Sequence, residues 1–229
     1  MTNIKIRCRA LLFDLDGVLI DSTPAVARVW RQWALEYGFD PLEVTRRAHG
    51  RPSLITVREY LPQADHLAEN HEVERREIED LEGVVPLPGA LALLNALPAH
   101  RWTIVTSCTR ALAEVRLRAA GLPVPSRLVT AQDVTRSKPD PEPFQKGAAM
   151  LGVAPADCLV LEDSPAGIRA GKAAGARVLG LRAIASDAEL AAAGADWLAD
   201  NCSALSFVSF DGSGELLLRL DADGLPSTV

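Results

Sequence analysis

The sequence predicts an α/β protein, a core with a mainly parallel sheet into which an all-helical segment is inserted after the first strand. Three observations lead there. Short apolar runs bounded by turn residues alternate with stretches of helical periodicity. One long stretch, residues 41–83, contains no strand-like run. The segment FDLDGVLIDS, residues 13–22, sets two acids just past the end of the first apolar run.

Taken in chain order, Ala10-Leu11-Leu12-Phe13 is short, apolar and stopped by Asp-Leu-Asp-Gly, the pattern of a buried parallel strand ending in a turn. Asp14 and Asp16 then lie at the carboxyl edge of the sheet, where ligands collect in open α/β folds. The competing reading is a plain turn, because Asp bonds its own backbone in turns. In residues 24–37, Val26, Val29, Trp30, Trp33 and Tyr37 recur at helical spacing, which makes both tryptophans packing residues. Residues 72–80 are densely charged and read as a solvated helix face with mixed-sign pairs.

Two punctuated hinges, Asp21-Ser22-Thr23-Pro24 and Val85-Pro86-Leu87-Pro88-Gly89, bound this region. They divide the chain into a core of residues 1–22 and 87–229 and a helical insert of residues 23–86. Beyond Pro88, strands are expected at 102–105, 127–130, 158–161 and 177–181, with helices between them. The tail reads as a hairpin, residues 207–210 and 216–220 around Asp211-Gly212-Ser213-Gly214. Its outer face either pairs with another subunit or covers the core.

Composition narrows the function. The net charge of −6 over 229 residues lacks the basic footprint that nucleic acids demand, so no nucleic-acid partner is expected. Cys8, Cys108, Cys158 and Cys202 are far apart with no CxxC spacing and read as buried free thiols, which suits a reducing compartment. No apolar run approaches the ~18 residues of a membrane span, and Met-Thr-Asn-Ile-Lys-Ile-Arg lacks the apolar region of a signal peptide. The expectation is a cytoplasmic protein without membrane association, monomeric, acting on a small anionic metabolite.

Three more segments put reactive groups at strand ends. Thr106-Ser107-Cys108-Thr109 offers hydroxyls and helix-start N–H groups to an anion, although small hydroxyl residues also cap helices. Ser137-Lys138-Pro139-Asp140-Pro141 holds Lys138 in a stiff turn, where it is either a site group or an ordinary solvated charge. In Leu161-Glu162-Asp163-Ser164-Pro165, the paired acids suit a hard cation such as Mg²⁺, while Ser164 and Pro165 suit a helix start.

In this order, FDLDGV, IVTS, SKPDP and LEDSPAG resemble the four motifs of the haloacid dehalogenase superfamily, with the helical insert between the first and second. The resemblance implies a Rossmann-like core with a helical cap. It also implies roles: Asp14 as nucleophile forming an aspartyl-phosphate, Asp16 as general acid and base, and Thr106, Ser107 and Lys138 on the transferring oxygens. Mg²⁺ would be held by Asp14, the Asp16 carbonyl and Asp163, with Glu162 nearby or behind them.

The second acid separates branches of that superfamily. Expelled halide needs no proton, so Asp16 favours phosphatase or phosphomutase over dehalogenase. Residues 23–85 contain no lysine, which argues against the Schiff-base phosphonatases. Ala48-His49-Gly50-Arg51, Trp30, VTSCTR and the tail hairpin are similar to the sugar-phosphate and polyol-phosphate phosphatases, including those for 2-deoxyglucose 6-phosphate and glycerol phosphate. Pro52-Ser53-Leu54 departs from that pattern. His49 and Arg51 are the candidates for substrate hydroxyls; the competing reading has His49 capping a helix and Arg51 pairing with a surface acid. A β-phosphoglucomutase-like phosphomutase is the alternative activity, and a noncatalytic binding protein on the same fold a third.

Overall fold

A computed structural model describes residues 2–48 and 50–222. Its centre is a five-stranded parallel sheet in the order β5-β2-β6-β7-β8. These strands are β2 (Ala10–Phe13), β5 (Trp102–Ile104), β6 (Cys158–Glu162), β7 (Arg177–Leu181) and β8 (Trp197–Ala199). All four residues of β2 are buried, as a strand covered on both faces requires. Leu11 and Phe13 point to one face, where α5 (Ala90–Ala96) and α6 (Arg110–Ala119) pack. Ala10 and Leu12 point to the other, under α7 (Glu142–Met150), α8 (Pro165–Ala173) and α9 (Asp187–Ala192).

Register is what builds the site. Phe13 lies opposite Ile104 on one side and Leu161 on the other, so three strands end level. The backbone extends that alignment by one step: Asp14 N–H donates to Leu161 O at 3.0 Å and Val105 N–H to Phe13 O at 2.8 Å. Residues immediately after each strand therefore meet at one edge.

Between the first and second of these strands in the chain lie α1 (Thr23–Tyr37), α2 (Pro41–Ala48), α3 (Ser53–Tyr60) and α4 (His66–Glu79). They enclose a core of their own, built on Val29, Trp30, Trp33, Val44, Val57 and Val73. Trp33 meets Trp30, Tyr37, Phe39 and Tyr60 at ring separations of 5.0–6.3 Å, each pair adding about 0.5–1.5 kcal/mol beyond area burial. Gly38, at φ 73°, ends α1 in the left-handed region and returns its N–H to the last carbonyls of the helix. The two connections to the core pair with each other as a small antiparallel ribbon of β3 (Ile20–Asp21) and β4 (Val85–Pro86).

The chain departs from the expected elements in several places. Residues 127–130 form no strand; Val129 makes a single bridge to Val105 and the chain then turns. Thr130 is the reason, since its N–H and hydroxyl both donate to Asp133 Oδ2 and cap the short turn at Ala131–Asp133. The charged run in α4 is solvated on one side only, because Val73 and Glu77 are buried. β8 and an N-terminal strand, β1 (Thr2–Cys8), were not expected. β1 pairs with the tail hairpin of β9 (Leu205–Phe210) and β10 (Leu216–Ala222) in the order β1-β10-β9. Ile6, Leu216, Leu218 and Leu220 bury the inner face of this second sheet against the main core.

Candidate active site

The level strand ends place Asp14, Thr106, Glu162 and Asp163 around one spot, and all four are buried. Lys138 comes up beneath them from the loop before α7. Its Nζ donates to Asp14 Oδ1 at 2.8 Å, to Glu162 Oε1 at 2.6 Å and to Val105 O at 3.1 Å, with the Phe144 ring 5.1 Å away. It is thus a buried cation, not the solvated charge its turn would also allow. Burial alone would pull its pKa down, but the Asp14 and Glu162 carboxylates outweigh that and hold it above the usual lysine value. For Asp14 the balance runs the other way: burial pushes the carboxyl well up, Lys138 pulls against it, and Glu162 and Asp163 add to the rise.

Glu162 is spent on the protein. Its second oxygen accepts from the N–H groups of Asp163 and Ser164 and from the Ser164 hydroxyl, all at 3.0 Å. Ser164 in turn caps α8, donating this proton while accepting from Gly167 N–H. A Cβ on Gly167 would stand 1.7 Å from Glu162 Oε1, so the first turn of α8 carries a glycine because the carboxylate needs its space. Gly17 plays the same part for Asp163. It sits at φ +81°, and a Cβ there would lie 2.1 Å from Asp163 Oδ2.

Asp14, Glu162 and Asp163 each offer a carboxylate oxygen within 4.8 Å of the others. Three carboxylates face one ammonium, an excess of negative charge in a dry place, and the donors are all hard oxygens. That donor set fits a small divalent cation such as Mg²⁺.

Asp16 stands one turn away, on the loop that Gly17 closes by donating to Ile20 O at 2.8 Å. Its Oδ1 accepts from Ser22 Oγ at 2.5 Å and Arg116 Nη1 at 3.1 Å, and its Oδ2 from Cys108 Sγ at 3.1 Å. Burial, then the neighbouring Asp16 charge, pushes the Cys108 thiol well up, so it stays protonated and serves as a donor. Thr106 Oγ1 accepts from Cys108 N–H at 3.1 Å, and Ser107 lies half-buried beside it.

A cavity of about 420 Å³ opens between this edge and the inserted helices. Its core wall includes Asp14, Asp16, Thr106 and Ser107; its cap wall includes Trp30, Arg51, Asn70, Glu74 and Glu77. Lys138 and Glu162 lie behind the core wall, and Asp163 faces an adjoining groove. Arg51 reaches the cavity but is also paired with Glu59 and bonded to Thr56 Oγ1 at 3.1 Å. His49 lies outside the described residues.

Sequence reasoning missed Ser22, Arg116, Glu74 and Glu77. A signal existed for two of them. Arg116 falls on the buried stripe of α6 with Leu112, Ala113 and Leu117, and Glu77 lies four residues after the buried Val73.

Residues 8–175 match the family model described as haloacid dehalogenase-like hydrolase. The chain belongs to that family. Among curated relatives, hexitol phosphatase A of Escherichia coli is 43% identical over 189 residues, covering 80% of this chain and 88% of that one. Glycerol-1-phosphate phosphohydrolase 2 of Saccharomyces cerevisiae is 35% identical, covering 78% and 76%. A hydrolase from Pseudomonas syringae superposes with a TM-score of 0.76 at 26% identity, covering 85% of this chain and 94% of that one.

Proposed function

We propose that this chain hydrolyses a small phosphate monoester, a sugar or polyol phosphate, through an aspartyl-phosphate on Asp14. The observation that carries the reading is the meeting of Asp14 and Asp16 on one cavity wall, backed by Lys138 and a buried carboxylate cluster. Its relatives' names, hexitol phosphatase and glycerol-1-phosphate phosphohydrolase, support the substrate class. In this reading residues 1–22 and 87–229 are the catalytic core and residues 23–86 the cap. A catalytic protein, and not a phosphate-binding one, is favoured because Asp14 and Asp16 line the same cavity.

Asp14 attacks phosphorus in line while the leaving oxygen departs opposite, and Asp16 supplies that oxygen with its proton. Water then attacks the aspartyl-phosphate and gives its proton to Asp16, which restores both carboxyl groups. Thr106 and Ser107 bind the phosphoryl oxygens, and Lys138 offsets the repulsion between Asp14 and its anionic target. Asp14, the Asp16 carbonyl and Asp163 would hold Mg²⁺, with Glu162 behind them; when bound, the cation neutralises charge on the phosphoryl oxygens. The cap wall, with Glu74 and Glu77, suits neutral hydroxyls better than a second phosphate, which favours hydrolase over mutase.

Phosphate release from glycerol, hexitol and hexose phosphates, with and without Mg²⁺, tests this. Release that requires the cation and falls at least about 10⁴-fold in Asp14→Asn is the expected outcome. Release that persists in Asp14→Asn rejects the nucleophile, and conversion of glucose 1-phosphate to glucose 6-phosphate without release makes the chain a mutase.

A further inference from the structure

Arg116 occupies a place where an apolar residue would serve the packing of α6. Its side chain is 4% exposed and lies among Leu112, Ala113 and Leu117 on the buried side of that helix. Nη1 is 3.1 Å from Asp16 Oδ1 and 3.3 Å from Cys108 Sγ. Nη2 is 3.7 Å from Glu77 Oε2 on α4. Glu77 is itself buried, its side chain 8% exposed, and its other oxygen accepts from Trp30 Nε1 at 3.2 Å. One guanidinium therefore lies between a carboxylate of the core loop and a carboxylate of the inserted helices.

Such an arrangement is poor value for stability alone. Burying an arginine with its partners often gains nothing over apolar packing of the same volume. What it does supply is direction, because a guanidinium presents its donors in a rigid fork. Asp16 has two rotatable side-chain bonds, and donors from Ser22, Arg116 and Cys108 reach both its oxygens from three different segments. Burial disfavours the charge on Arg116, yet the Asp16 and Glu77 carboxylates hold it protonated.

We propose that Arg116 is a positioning residue for Asp16, aiming that carboxyl group at the leaving-group oxygen, and that Glu77 of α4 fixes Arg116 for this task. The inference rests on the reading of Asp16 as the general acid. It makes the inserted helices a part of the acid's support, in addition to being a wall of the cavity. A misplacement of about 1 Å in such a group costs on the order of 10²-fold in rate.

The test compares kcat/KM, which reports phosphoryl transfer to Asp14, for two esters of opposite leaving-group demand. An alkyl ester, glycerol phosphate, needs the proton; p-nitrophenyl phosphate leaves without it. In Arg116→Met the alkyl ester is expected to lose about 10²-fold and the aryl ester less than about 10-fold. Arg116→Lys should recover part of the loss, and Glu77→Gln should show a smaller loss with the same split. If Arg116→Met does not fold, the split in the other two variants decides. Equal losses for both esters, or wild-type alkyl turnover in Arg116→Met, overturn the inference while leaving the phosphatase reading intact. A wild-type chain that releases phosphate from neither ester, nor from hexitol or hexose phosphates, overturns both.

Discussion

The core wall and the cap wall of the cavity both carry buried charge, but they obtain their partners differently. On the core wall, Lys138, Asp14 and Glu162 satisfy one another; the two acids sit at the ends of strands whose register is set by backbone hydrogen bonds, and Lys138 reaches them from the loop before α7. The cap wall presents Asn70, Glu74 and Glu77, spaced four and three apart along one face of α4. Asn70 accepts from Ser53 and Glu77 from Trp30 within the inserted helices, but both acids also meet groups on the other side of the cavity: Thr109 donates to Glu74, and Arg116 faces Glu77. The core wall is complete in itself, whereas the cap wall is complete only when α4 lies against α6.

The largest effect that would break this comparison is at Lys138. Replacing it with Met leaves Asp14 and Glu162 buried without their cation, at a cost of roughly 3–5 kcal/mol in denaturant unfolding. Turnover should fall about 10²–10³-fold. Added Mg²⁺ should close part of the stability gap, because it neutralises the same carboxylates. A Met variant as stable and active as the wild type would show that the core wall does not depend on this ammonium.

A smaller effect belongs to Glu74, which lines the cap wall half-buried. Glu74→Gln is expected to lower kcat/KM about tenfold, near 1.4 kcal/mol, and to change the ranking among glycerol, hexitol and hexose phosphates. An equal loss for every ester would mean that the residue serves docking of α4 and not selection of the leaving group.

The smallest effect sharpens the comparison through pH. Burial raises the Glu77 pKa against the pull of Arg116, from an ordinary value of 4.5. The folded chain therefore keeps a proton that the unfolded chain has lost, and stability falls as pH climbs from about 4.5 toward the raised value. Thermal melting across that range should show a shallower slope in Glu77→Gln. An unchanged slope would mean that Glu77 is not desolvated in solution.

The part of the site legible in the sequence is the part made by local runs. Asp14, Asp16, Lys138, Glu162 and Asp163 each follow or adjoin a short apolar strand or a proline-stiffened turn, and such signals span only a few residues. The strand at 127–130 failed for an equally local reason, the capping of the next turn by Thr130, which apolar content does not reveal. Arg51 was legible as a cap residue near the cavity, but its partner Glu59 was not.

Sequence by itself determined the alternation of strands and helices, the inserted helical segment and the acids at the strand ends, because period and punctuation are written along the chain. Tertiary structure alone decided the rest. It committed Glu162 to Lys138 and the start of α8, turned Glu77 inward with Val73 from a run whose other side faces water, and brought Arg116 to Asp16 across 100 positions. The physical reason is that a buried charge is specified by the partner that compensates it, and that partner is chosen by packing between elements, not by neighbours in the chain.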